Sequence, residues 1–290
     1  MGYIMEKRIF NDDFLCYKDA YIKFKEYINQ GISISEIADC YDLTIERINN
    51  ILVRFDDIID PTICKAILEH YSQFKIDDNK AIIISDTHVG SHYDYLALFD
   101  TIFNYCSKND IKNIIHAGDF VEGNSYIYNR KDSVDVQIEN ILKIFNQNGL
   151  PKMFYLYGNH DYNLEIHESI YLKDILKDLK NLIYIGKGNS YVQLNDNDPI
   201  NICHELSYGE TYTPKIQTNL KLEGHHHSYS FFDNGVVHLP PLSLVASPSN
   251  LGFVKLTTTG NEFILDVYKD LKNNKINYCE QKIIKKYIPR

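Results

Sequence analysis

Five short apolar runs, each ending in a knot of Asp, Asn or His, constrain this chain more than any other feature. They are "AIIISDTHVG", "KNIIHAGDFVEG", "KMFYLYGNHD", "INICHE" and "NLKLEGHHH". Short apolar runs that end in polar clusters read as buried strands. Between the first three lie the helical stretches "DYLALFDTIFNYCSKN" and "SVDVQIENILKIFNQN", an alternation that predicts βαβ units and parallel strands. The later runs "GVVHLP", "LGFVKLTT" and "NEFILDVY" follow one another without long helices, as in a second, more antiparallel sheet. The expected class is α/β with two sheets.

Ahead of these runs, from about Asp12 to Phe74, the apolar spacing is helical. "YIKFKEYINQG" ends on Gly31, a good C-terminal stop. In "GISISEIADCYDLTIERINNILVRF", Ser33 or Ser35 can cap one short helix. Thr44 can cap the next, whose Ile45, Ile48, Ile51 and Leu52 share a face. The unit is helix-turn-helix-like. Its second helix offers Glu46, Arg47, Asn49 and Asn50, and residues 1–75 carry nine Lys and Arg against thirteen Asp and Glu. That balance favours packing or partner docking over duplex binding, and both readings stay open. Domains are therefore expected at 1–76, helical, and 77–290.

Bulk properties exclude several classes. The chain has 290 residues, 44% hydrophobic and 24% charged, which is a soluble globular composition. No stretch approaches eighteen uninterrupted apolar residues and the start has no signal-peptide pattern, so a cytoplasmic protein without a membrane partner is expected. Six scattered cysteines with no CxxC pair argue against a disulfide framework and a thiolate zinc site. The net charge of -9 repels nucleic acid at long range unless a local basic surface or bound cations reverse it. The segment from Tyr268 to Arg290 runs against the trend, with seven Lys and Arg and two Asp and Glu, and reads best as a solvated final strand.

The strand ends supply Asp86 and His88, Asp119, Asn159 and His160, His204, and His225 and His227. Carboxyl ends of neighbouring strands in an open α/β sheet converge on one edge, so these side chains can meet. Imidazoles, two carboxylates and an amide suit first-row divalent cations, in number enough for two ions. In Asp-x-His and His-x-His the outer residues fall on one side of an extended backbone, so His226 points the other way. One Asp can bridge two ions about 3.5 to 4 Å apart.

Asp86-Thr-His88, Gly118-Asp119, Gly158-Asn159-His160-Asp161, His204 and Gly224-His225-His226-His227 resemble the five motifs of the calcineurin-like metallophosphoesterases. The resemblance spans residues 80 to about 240 and fills seven ligand positions. It implies a two-sheet αββα sandwich behind a small all-α domain, and a cofactor of two divalent metal ions. Asp86, His88 and His227 would bind the first ion, Asn159, His204 and His225 the second, with Asp119 bridging. Manganese is the expected metal, and iron, zinc, nickel or cobalt would also suit the donors. A metal-bridging hydroxide would attack a phosphate ester in line, His160 would protonate the leaving alkoxide, and Asp161 would orient and charge that imidazole.

"GDFVEG" and "GNHD" lack the arginine that directly follows the second motif in the family's protein phosphatases. That moves weight toward phosphodiesterases, with nucleotides or nucleic acid as candidate substrates. Family repair nucleases carry a histidine three residues after the second-motif Asp, where this chain has Glu122. Substrate-side candidates are Tyr126, Tyr128, Asn129 and Arg130, then Tyr162, Tyr208 and Tyr212: tyrosines to stack rings and Arg130 to hold a phosphate. The alternatives are a phosphomonoesterase on small molecules, and a DNA-binding module with an accessory phosphoesterase domain.

Overall fold

The computed structural model describes residues 17–54, 74–124, 129–195, 198–206, 218–245, 247–269, 271 and 276–285. Tyr126, Tyr128, Tyr208 and Tyr212 lie outside them. The described residues form two compact units, one holding the N-terminal helices and the other the residues from Phe74 onward.

The first unit contains α1 (Tyr17–Asn29), α2 (Ile34–Tyr41) and α3 (Ile45–Arg54). Gly31, at φ 84°, takes the chain out of α1 in a conformation that costs glycine little. Ser33 caps α2 in a reciprocal box with Glu36, and the Thr44 hydroxyl accepts the Arg47 N–H at the start of α3. Phe24, Ile37, Ile48 and Leu52 are fully buried among the three helices. Capping and apolar face thus agree with the sequence pattern.

In the second unit a seven-stranded sheet runs in the order β13-β12-β11-β2-β3-β4-β5. Its strands are β2 (Lys80–Ile84), β3 (Asn113–Ala117), β4 (Lys152–Tyr157), β5 (Leu182–Lys187), β11 (Gly252–Thr258), β12 (Glu262–Lys269) and β13 (Asn277–Lys285). β2 to β5 are parallel, joined in part by α4 (Ala97–Lys108) and α5 (Val134–Phe145). β4 leads into α6 (Asn159–Glu168), followed by α7 (Leu172–Leu176). The other sheet holds β1 (Lys75–Ile76), β6 (Asn189–Leu194), β7 (Ile200–Cys203), β8 (Lys221–Glu223), β9 (Ser230–Phe231) and β10 (Val236–His238).

Alternation along the central strands builds two cores. Ile82, Ile84, Ile114, Met153 and Tyr155 face the cluster containing Phe99 and Phe145 of α4 and α5. Ala81, Ile83, Ile115, Phe154 and Leu156 face Val192, Ile202, Leu222 and Val237 of the second sheet. Strands buried on both faces need apolar residues at every position, which is why they read as continuous runs.

The later strands depart from the sequence expectation. Only β10 joins the second sheet; β11 pairs antiparallel with β2, and β12 and β13 extend that edge of the first sheet. The second sheet is itself mixed, with β7, β8 and β10 parallel neighbours. The last strand is mostly exposed, and its Lys282 and Lys285 discourage further edge pairing.

Candidate metal centre

All seven candidate ligands follow the carboxyl ends of β2, β3, β4, β7 and β8. The loops stay paired beyond the sheet: the Asp86 N–H donates to Gly118 O and the His88 N–H to Asp119 O, at 3.0 and 3.1 Å. Asp86, His88, Asp119, His225 and His227 have φ between 43° and 78°. Such left-handed backbone costs a side-chain-bearing residue about 1–2 kcal/mol and marks sites held against their own preference. Two glycines give the ligands room. A Cβ at Gly118, φ 93°, would stand 2.4 Å from the His204 ring, and one at Gly158 would stand 2.2 Å from Asp119 Oδ1.

The donors gather into two groups that share Asp119. Donor atoms of Asp86, His88, Asp119 and His227 lie within 4.8 Å of one another, as do those of Asp119, His204 and His225. Asn159 Oδ1 joins the second group, 3.2 Å from His204 Nε2 and 3.1 Å from His225 Nδ1. In the first, His227 Nε2 stands 3.2 Å from His88 Nε2 and 3.3 Å from Asp86 Oδ1. Donors that each sit about 2.1 Å from one ion must be spaced about 3 to 3.5 Å apart, so both groups fit divalent cations. The chemistry fits as well, with nitrogen and oxygen donors and no thiolate.

Neighbours fix the imidazoles. The His204 Nδ1–H donates to the Ala117 carbonyl at 2.8 Å, and His88 Nδ1 meets Glu122 Oε2 at 3.0 Å, which turns both Nε2 atoms inward. Burial opposes charge on His204, but Asp119 at 3.1 Å and Asp86 outweigh it and push its pKa up to about 10. Burial would raise Asp86; the hydrogen bond from His227 and the charge of His204 bring it down to about 2. Burial also works against ionised Asp119, which the surrounding histidines hold well below the usual carboxylate range. His227 is raised, its hydrogen bond and proximity to Asp86 overcoming burial, while burial and the charge of His204 lower His225.

His160 lies at the first turn of α6 beside this centre, its ring edge-on to His88 at 4.6 Å between centroids. The sequence reading assigned its orientation to Asp161, and the structure corrects that. Both oxygens of Asp161 are taken up by backbone N–H groups of Phe120, Val121 and Gly158 at 3.0 to 3.1 Å. His160 Nδ1 meets the Glu122 carbonyl at 2.7 Å instead. Asp161 is therefore a clamp between the β3 and β4 loops; burial and the charge of Asp119 push its pKa up to about 7 against those donors. Glu122 is the residue that sequence reasoning missed. Its position three residues after Asp119 was visible, but not the direction of its side chain.

Other candidates fall outside the donor groups. Arg130 is half-buried and has no ion-pair partner among the described residues. Tyr162, also half-buried, carries Lys187 Nζ over its ring at 4.5 Å. His226 is exposed and stacks on His238, centroids 3.6 Å apart and planes 16° apart. Glu223, His226 and His238 bring donor atoms together, but imidazole lone pairs lie in the ring plane, and two stacked planes cannot both contain one ion. A groove of about 1120 Å³ at the opposite end of the strands, lined by Lys75, Asp78, Asp110 and Lys112, contains none of the site residues.

The family model for calcineurin-like phosphoesterases matches residues 80–254, which include every donor above. The chain belongs to the calcineurin-like phosphoesterase family. It is a metal-dependent phosphoric ester hydrolase, and the αββα sandwich is the fold that membership implies. Among solved structures, Vps29 of Chaetomium thermophilum is similar at 12% identity and a TM-score of 0.44, covering 72% of this chain and 99% of its own. The nuclease MPE of Pseudomonas putida is similar at 12% identity and 0.36, covering 69% and 87%. A conserved uncharacterized protein of Streptococcus pneumoniae, a predicted phosphoesterase, gives 9% and 0.37, covering 72% and 98%. A search of curated proteins finds no match. Among the described residues, no helix of this phosphoesterase is long and apolar enough to cross a membrane.

Proposed function

We propose that this phosphoesterase is a dinuclear phosphodiesterase. The observation that carries the reading is the sharing of Asp119 between two donor groups. Asp86, His88 and His227 would hold one ion and Asn159, His204 and His225 the other, with Asp119 shared between them. When bound, the ions, with manganese as the first choice, supply Lewis-acid stabilisation of the phosphoryl oxygens and lower the pKa of water at the site. The rest of the chemistry falls to side chains. With Nδ1–H donated to the Glu122 carbonyl, His160 presents Nε2, from which a proton passes to the leaving alkoxide oxygen. Arg130 is the candidate cation for a non-reacting phosphoryl oxygen.

The diester half of the reading rests on the sequence: "GDFVEG" and "GNHD" lack the arginine that directly follows the second motif in the family's protein phosphatases. Nucleotides and nucleic acids are the diesters to examine next. The reading places hydrolysis in residues 77–290 and gives residues 1–76 no part in it.

The test is hydrolysis of bis-p-nitrophenyl phosphate against p-nitrophenyl phosphate, with manganese restored to stripped protein. Faster cleavage of the diester, dependent on manganese, is the expected result. Faster cleavage of the monoester would replace this reading with a phosphomonoesterase acting on small molecules.

A further inference from the structure

Glu122 touches two histidines of different duty with two different atoms. Its carboxylate Oε2 stands 3.0 Å from His88 Nδ1, and its backbone carbonyl 2.7 Å from His160 Nδ1. The residue is 1% exposed, and its second oxygen, Oε1, is buried without a hydrogen-bond partner. The other ring near the carboxylate is His160, whose Nδ1 is 3.8 Å from Oε2, beyond hydrogen-bond range. A buried carboxylate with a single N–H partner is poorly placed in neutral surroundings. It is well placed when the imidazole it faces is polarised from the other side, as His88 is when Nε2 gives its lone pair to a divalent cation.

We propose that Glu122 is a positioning residue whose side chain tunes the first metal group through His88, and whose carbonyl independently fixes the proton donor His160. The carboxylate accepts the Nδ1–H of His88, holds the tautomer that points Nε2 at Asp86, Asp119 and His227, and makes that nitrogen a stronger donor. The carbonyl accepts the Nδ1–H of His160 and leaves Nε2 as the atom that carries the transferable proton. The glutamate thus marks a site in which the position after "GDFV" serves the metal rather than the substrate. The inference rests on the proposed metal centre and is independent of which ester is cleaved.

Substitution separates the two duties, because it alters the carboxylate and leaves the carbonyl. Glu122→Gln keeps the shape and an acceptor but removes the charge; Glu122→Leu removes both. In the full chain, calorimetric titration with manganese should show the tighter affinity weakened about tenfold in Gln and up to about 100-fold in Leu. Nitrogen NMR of metal-free protein should show His88 losing its preference for Nδ1–H in Leu and keeping it in Gln. The pH profile of bis-p-nitrophenyl phosphate cleavage at saturating manganese should keep its midpoints, with kcat falling less than affinity.

Unchanged affinity and unchanged tautomer in both variants would overturn the proposal. So would unchanged affinity with a displaced pH midpoint, which would mean that the carboxylate acts through His160. Should Glu122→Leu fail to fold, Glu122→Gln carries the comparison by itself. A wild-type chain that binds one ion, or prefers monoesters, would contradict the functional reading without touching the difference between wild type and variants.

Discussion

The two donor groups that share Asp119 are alike in chemistry and unlike in support. In the first, Asp86 and His88 are buried, His88 is backed by a carboxylate, and Asp86 also accepts the His225 N–H at 3.1 Å. In the second, His204 is backed by a neutral carbonyl, and the His225 side chain is 36% exposed, its Nε2 3.7 Å from an exposed Glu205. A charged acceptor makes an imidazole a stronger ligand than a neutral one does, and a buried ligand is already held in place. Each group otherwise pairs two buried ligands with one part-exposed histidine, His227 or His225, so the carboxylate behind His88 is the difference expected to make the first group the tighter half.

Breaking the shared element should have the largest effect. Asp119→Asn keeps the volume but removes the charge that both groups use, so diester hydrolysis should fall by about 10³-fold or more, measured as kcat/KM with bis-p-nitrophenyl phosphate. Removing one ligand at a time separates the halves. His88→Ala should abolish the tighter of two binding steps in a manganese titration, whereas His225→Ala should weaken only the looser one, by about 10- to 100-fold. Equal losses from the two variants would erase the distinction.

Acidity sharpens the comparison, because each group holds a raised histidine, His227 in the first and His204 in the second. The depressed pKa of Asp86, about 2, contributes stability that is present above its unfolded value near 4. That contribution disappears as pH falls through 2. The raised pKa of His204, about 10, contributes stability that is full below its unfolded value near 6.5 and is lost as pH rises through 10. Stripped protein should therefore melt at its highest temperature between about pH 4 and 6.5 with respect to these groups. Metal affinity runs the other way: the His204 proton must leave, so affinity should rise about tenfold per pH unit from about 7 to 9. A pH-independent affinity would show that His204 is not a ligand.

The smallest effect expected is on the substrate side. Arg130→Ala should raise KM for the diester about three- to tenfold with little change in manganese affinity. A lost binding step in that variant would place Arg130 in the metal site's architecture instead.

The donors were legible because Asp, Asn and His at the ends of five apolar runs are rare chemistry in a regular place. They come from two sheets, however, β2, β3 and β4 in one and β7 and β8 in the other, and not from one sheet edge as expected. The structure turns His226 outward onto His238, away from His225 and His227, but not for the reason the i, i+2 spacing supplied: the backbone there is left-handed, φ 78° at His225 and 49° at His227, and not extended. What orients His160 was not legible. Asp161 adjoins it in sequence, yet its carboxylate turns to three backbone N–H groups, while the carbonyl that meets the ring comes from Glu122 on another loop. Such choices depend on side-chain direction in left-handed loops, which no periodicity encodes. The sheet membership of β11 to β13 was missed for a related reason: apolar spacing identifies a strand but not its partner, and β11 finds β2 across some 170 residues of chain.

The most direct measurement is the number of manganese ions bound by the stripped full-length chain, counted by calorimetric titration and elemental analysis, beside Asp119→Asn. Two ions per chain, bound in two steps of unequal affinity that both weaken in the variant, is the predicted result. One ion, or two whose affinities ignore Asp119, would contradict the shared centre on which the proposed function stands.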